Sequence, residues 1–132
     1  MAVITKGMIL GLQNVDTNRD GKIDGFQLQI RNQYLITVPL RSITTFEIII
    51  DGKKISPEVM SFILRNQRIN ISNIRTISDI WWGIGEIATV HISKEGGLKS
   101  GMHDIECSIK IKQQLHPKAF EFPISIKTKL KL

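Results

Sequence analysis

The feature that most constrains this chain is the two-residue alternation that recurs through its isoleucine-rich stretches. Ile105, Cys107, Ile109 and Ile111 alternate with Glu106, Ser108, Lys110 and Lys112. Phe120, Phe122, Ile124 and Ile126 alternate with Glu121, Pro123, Ser125 and Lys127, and Phe26, Leu28 and Ile30 with Gln27, Gln29 and Arg31. Successive side chains of a strand point to opposite faces, so each run predicts an antiparallel strand with one face in a core and one in water. Isoleucine pushes the same way, because its branched β-carbon fits a pleated surface better than a helix. Pro123 has no N–H to give to a ladder, and its outer phase predicts that the last strand is an edge.

Turn signals punctuate these runs. Asp51-Gly52 separates Phe46–Ile50 from Lys53–Ile55 as a hairpin, Arg65-Asn66-Gln67 follows another apolar run, and Glu95-Gly96-Gly97 closes a strand over Glu86–Ser93. Helical signals are few: Ser56-Pro57-Glu58 opens one turn with Pro at the first helical position, and Ser72–Asp79 is either a short helix or an irregular loop. No repeat or linker divides the chain. Residues 1–132 therefore read as one all-β domain, an antiparallel β-sandwich of about eight strands.

Composition narrows the class. The chain is 42% hydrophobic and 23% charged, which suits a packed globular domain and argues against disorder. Its single cysteine, Cys107, excludes an internal disulfide and fits a reducing compartment; its strand phase makes it a small core hydrophobe. The run Met8–Leu12 is short for a signal-peptide core, and no stretch approaches the ~20 apolar residues of a membrane span, so a cytoplasmic location without membrane is expected. The net charge of +6 raises the question of nucleic acid. However, Lys127, Lys129 and Lys131 alternate along one strand and Lys110 and Lys112 along another, the placement that guards exposed strands from pairing. With no aromatic interleaving, no nucleic-acid partner is expected.

Candidate chemical groups are scattered. His91, His103 and His116 stand apart, with no partner at metal-ligand spacing. His91 reads as a hydrogen-bonded structural histidine. His103, in the turn Gly101–Asp104, reads as a corner residue bonded to backbone. The stretch Asp16-Thr17-Asn18-Arg19-Asp20-Gly21-Lys22-Ile23-Asp24 matches the opening of a calcium loop. Its twelfth position is Gln27, in place of the bidentate carboxylate and inside an expected strand, so a polar turn is the better reading. Trp81 and Trp82 are adjacent, and in an extended chain they must point to opposite sides. One indole enters the core; the other is covered by a neighbouring loop or left for a partner.

Two motifs add a resemblance. Trp82-Gly83-Ile84-Gly85-Glu86-Ile87-Ala88 and Gly96-Gly97-Leu98-Lys99-Ser100-Gly101-Met102-His103-Asp104-Ile105 give W-x-x-G-E-x-A followed by G-G-L-x-x-G-x-H-x-I. With Gly25-Phe26-Gln27, Val38-Pro39-Leu40 and Ile50-Asp51-Gly52, this pattern resembles the small β subunit of bacterial C-glycoside deglycosidases across roughly residues 23–112. Ile36-Thr37 stands where the family pattern has an Arg-Gly pair, which bears on substrate range. The resemblance implies an accessory subunit, inactive alone, in a heteromer of αβ pairs that acts as a carbon–carbon lyase on 3-oxo-C-glucosides of flavonoids or isoflavonoids. It implies no cofactor and no catalytic residue on this chain, and a divalent metal, manganese, in a TIM-barrel α subunit that also supplies the base. It points to Trp81, Trp82, Glu86, Gly97 and His103 as partner interface or substrate wall, with the segments Trp81–Glu86 and Gly96–His103 lying together. The alternative is a stand-alone carbohydrate- or calcium-binding sandwich, motivated by the Asp16–Asp24 loop and the spare tryptophan.

Overall fold

A computed structural model describes residues 7–115 and 118–132; His116 lies outside them. The strands are β1 (Ile9–Val15), β2 (Gly25–Arg31), β3 (Val38–Pro39), β4 (Ile43–Ile50), β5 (Lys53–Lys54), β6 (Met60–Leu64), β7 (Gln67–Asn70), β8 (Trp81–Trp82), β9 (Ile87–Ser93), β10 (Met102–Leu115) and β11 (Lys118–Lys131). A five-stranded sheet runs β1-β2-β9-β6-β7 and a four-stranded sheet β11-β10-β4-β5, antiparallel throughout, with β3 and β8 forming a separate two-stranded ribbon. The all-β sandwich is as expected. The strands number eleven among the described residues rather than about eight, partly because β3 and β8 are two-residue pairings too short to show an alternation.

The alternating residues fill the space between the sheets. Phe26, Leu28 and Ile30 of β2, Val90 and Ile92 of β9, and Met60 and Phe62 of β6 are buried on one side. Ile48 and Ile50 of β4, with Ile105, Cys107, Ile109 and Ile111 of β10, are buried on the other. Phe46 and Phe62 meet edge-on between the two sheets, ring centroids 5.8 Å apart. Full burial of each such side chain contributes roughly 1.5–3 kcal/mol relative to exposure, which makes this interior the main source of stability. Burial pushes the Cys107 thiol up to about 12, so it packs as an inert neutral group.

The turns follow their residues. Asp51 (φ 51°) with Gly52 (φ 82°), and Arg65 (φ 48°) with Asn66 (φ 66°), place two positive-φ residues between paired strands, the arrangement that matches strand twist. Pro57–Val59 and Ile71–Thr76 are 3-10 turns, capped by the Ser56 and Asn70 side chains. The Asp16–Asp24 segment is a polar loop whose carboxylates fold back on its own backbone. Asp16 Oδ2 accepts from Gly21 N–H at 2.7 Å, Asp20 Oδ1 from Lys22 N–H at 2.8 Å, and Asp24 from the Thr17 hydroxyl at 2.7 Å. Gln27 belongs to β2, so the loop leads into a strand.

β11 is an edge, with Pro123 facing outward, and Lys127, Lys129 and Lys131 are exposed, as are Lys110 and Lys112 on β10. Phe120 departs from expectation: it is 43% exposed, whereas Ile124 is buried. It pairs with Gln113, beyond Ile111, where β4 no longer flanks β10.

Candidate functional site

The Trp81–Glu86 segment is organised from inside by Asn32, which is 2% exposed. Its amide Nδ2 donates to the carbonyls of Ile36, Trp82 and Gly83 at 3.0–3.1 Å, while its Oδ1 accepts from Tyr34 N–H at 2.9 Å. Its own N–H donates to the Glu86 carbonyl. One buried amide thus ties the loop after β2 to the turn before β9. The Tyr34 hydroxyl reaches across to the Ile109 and Phe122 carbonyls, which anchors that loop to the second sheet.

The two indoles separate as strand geometry demands. Trp82 is 1% exposed, meets Phe62 edge-on at 5.2 Å, and donates its Nε1–H to the Glu86 carbonyl at 2.8 Å; Trp81 is 46% exposed. Glu86 N–H bonds the Gly83 carbonyl to close the turn, with Ile84 and Gly85 at its tip. Glu86 braces the turn with its side chain as well. Oε1 accepts from Gly83 N–H at 2.8 Å and from Arg65 Nη1 at 2.6 Å, and Arg65 Nη2 donates to the Trp81 carbonyl at 2.8 Å. Burial raises the Glu86 carboxyl, but the Gly83 and Arg65 bonds outweigh it and hold the group below the usual glutamate value. With those fixed partners the carboxylate braces the turn.

Gly97 and His103 stand at the opposite end. Gly97 has φ +64°, and a Cβ on it would fall 2.3 Å from Asn14 Oδ1, so only glycine fits. That asparagine clamps the next residue, donating to the Leu98 carbonyl and accepting Leu98 N–H, both at 2.9 Å. His103, 8% exposed, has Nδ1 2.6 Å from Asp51 Oδ2 and Nε2 2.6 Å from the Lys99 carbonyl. Both partners are acceptors, so the ring satisfies both only as the doubly protonated cation. Asp51, then the Lys99 carbonyl, raise its pKa accordingly, and His103 and the Asp104 N–H lower that of Asp51. The backbone role expected for His103 is present, with Asp51 as an added partner.

The two motifs are therefore not brought together, contrary to expectation. Trp82 and Glu86 precede β9, Gly97 follows it, and a seven-residue strand holds its ends roughly 20 Å apart. Closeness in sequence across an extended strand is distance in space.

The family model described as C-glycoside deglycosidase beta subunit matches residues 5–114, which include both motifs. The chain belongs to that family. A relative of the same name from Eubacterium cellulosolvens is 26% identical over 97 residues. The aligned stretch covers 74% of this chain and 65% of that relative, slightly under two thirds of its length. In this beta-subunit family member the match stops at the tip of β10, so β11, which closes the second sheet, lies outside it.

His91 corrects another expectation. It is 3% exposed, yet neither ring nitrogen has a hydrogen-bond partner among the described residues. It sits mid-sheet on β9 between Gln27 and Ser61, where backbone groups are taken up by the ladders, and its ring lies over Gly25, where a Cβ would come within 2.9 Å of Nε2. Burial first, then the charge of Arg68, lowers its pKa, with Asp24 opposing. Among the described residues no group of three or more His, Cys, Asp or Glu is placed to hold a metal ion, and no helix is long and apolar enough to cross a membrane. Asn32, Arg65, Asn14 and Asp51 are the organising residues that sequence reasoning missed. Asp51 and Arg65 were visible only as turn residues; Asn32 and Asn14 carry no spacing that marks them.

Proposed function

We propose that this chain is the non-catalytic small subunit of a cytoplasmic heteromeric C-glycoside deglycosidase, built from αβ pairs and cleaving 3-oxo-C-glucosides of flavonoids or isoflavonoids. Its membership of the beta-subunit family carries the reading. The chemistry explains why two chains are useful. A C-glycoside joins sugar to aglycone through carbon, so there is no bridging oxygen to protonate, the usual glycosidase device. A ketone at C3 acidifies the C2 proton; a base removes it to give the enolate. Return of the enolate electrons forms the C1–C2 double bond as the bond from C1 to the aglycone carbon breaks, and that carbon takes up a proton. A TIM-barrel large subunit supplies the base and a manganese ion, which as a Lewis acid favours the enolate.

The titratable groups of this chain's candidate site suit bracing rather than proton transfer. Glu86 is held by Gly83 and Arg65, His103 is held at both nitrogens, and Cys107 is buried. The purified chain, supplied with manganese and a 3-oxo-C-glucoside, should release no aglycone, and release should begin when the large subunit is added. Turnover by the single chain would overturn the accessory role.

A further inference from the structure

We infer that the Trp81 end of the sandwich is the face that docks the large subunit, through an apolar platform of Leu35, Trp81, Ile84 and Ile87. The inference rests on the subunit reading above and adds where the partner sits. These side chains are 46%, 46%, 62% and 46% exposed, although each is large and apolar. Trp81, Ile84 and Ile87 fall within one tight turn and its flanks, and Leu35 lies in the loop that Asn32 ties to that turn.

Three observations favour a protein partner here. First, the backbone that carries the platform is tied by hydrogen bonds before anything binds. Asn32, the Trp82 indole N–H and the Arg65–Glu86 pair fix every strand and turn that carries it. Buried polar effort of this kind to display apolar side chains makes sense when ordering costs are removed before association. Second, the platform makes little polar demand on a partner. The Trp81 carbonyl is taken by Arg65, and the Glu86 carboxylate by Arg65 and Gly83. A mainly apolar pocket with one acceptor for the Trp81 indole N–H would suffice, the setting in which interface tryptophans contribute most. Third, the outer face of the second sheet is unsuited. The outer side of the four-stranded sheet carries Glu47, Glu106, Lys110, Lys112, Lys127 and Lys129, groups depleted at interface centres because they must be desolvated. The family relation supplies the occupant: a beta subunit has a partner subunit, and this is the face fitted to it.

The test measures affinity for the large subunit with Trp81→Ala and with the turn-tip variant Ile84→Asp, using Met102→Asp as the control. Met102 is 60% exposed at the opposite end, next to His103. Trp81→Ala should raise Kd roughly 30-fold or more, and Ile84→Asp likewise, while Met102→Asp stays within about twofold. Thermal unfolding of the free Ile84→Asp and Met102→Asp chains should match the parent, since those side chains are 62% and 60% exposed. Trp81 is 46% exposed in the parent, so Trp81→Ala should stay folded with a melting temperature lowered by a few degrees at most. Parent-like binding by both platform variants would overturn the inference and leave the subunit reading intact. Loss of binding in Met102→Asp alone would move the interface to the other end. Self-association of the free chain that disappears in Trp81→Ala would give the face to a second copy. Failure of the unaltered chain to bind any large subunit would instead sink the subunit reading itself.

Discussion

The two ends of the sandwich hold their loops by the same kind of device and use it for opposite purposes. At the Trp81 end, Asn32 and the Arg65–Glu86 pair consume backbone polar groups so that apolar side chains stand in water. At the His103 end, Asn14 and the His103–Asp51 pair pin loops whose exposed residues are mostly polar or charged, such as Lys94, Glu95, Lys99 and Ser100. One end is a display; the other is a closure. The difference teaches that an exposed tryptophan is informative only when its support is examined, because a displayed side chain needs a scaffold as exact as a buried one.

The comparison breaks most directly at Asn32. Asn32→Ala leaves the Ile36, Trp82 and Gly83 carbonyls without their donor in a buried setting. It should cost about 3 kcal/mol in denaturant unfolding and loosen the Trp81 turn. A loss below about 1 kcal/mol would mean the display end is not held from inside. Next in size, Gly97→Ala should cost about 2 kcal/mol, from a positive φ that alanine tolerates poorly and a collision with Asn14 and Ile23. If the ends are independent, double replacement of Asn32 and Gly97 should be additive within about 0.5 kcal/mol.

The smallest effects sharpen the comparison through pH. His103 has a raised folded pKa, so its contribution is complete below the unfolded value of about 6.5 and is lost as pH rises through the folded one. Asp51 is about half exposed, which screens the pair. His103→Gln should therefore cost about 1 kcal/mol at pH 6 and less at pH 9. His91 has a lowered pKa, so stability falls as pH drops below about 6.5 toward its folded value. His91→Leu should thus gain on the parent between pH 7 and pH 5. Melting temperatures of both variants across pH 5–9 check the two slopes; equal slopes would show that the rings do not differ in protonation.

How much of this was legible follows from what each feature depends on. The long strands could be read because a core on one face imposes a period of two on residues such as Ile105–Ile111. The hairpin at Asp51-Gly52 and a turn at Arg65-Asn66-Gln67 could be read because Gly and Asn accept the positive φ that tight turns demand; that Arg65-Asn66 joins two paired strands came from the structure. The two-residue strands β3 and β8 could not be read, since two residues carry no period. Trp81 and Trp82 were correctly split by strand geometry, and the Asp16–Asp24 turn was recognisable from its own residues. What failed was anything set by distant partners. Asn32 acts on Trp82 fifty residues away, His91 looks like any strand histidine until its neighbours are placed, and the two motifs look contiguous until β9 is drawn between them.

The strand order also governs how this chain reaches its fold. The centre of one sheet pairs β2 with β9, and the centre of the other pairs β4 with β10, so neither can assemble until most of the chain is available. The sequence-adjacent pairs β1–β2, β4–β5, β6–β7 and β10–β11 close locally, but they must then be joined through those distant central pairings. A topology so rich in distant pairings places folding in the slow, millisecond-to-second class, with loop closure limiting the rate. During synthesis β2 and β4 emerge long before β9 and β10, and their apolar faces must wait uncovered. Apolar surface left uncovered during that interval makes the half-made chain, rather than the finished fold, the state most open to aggregation.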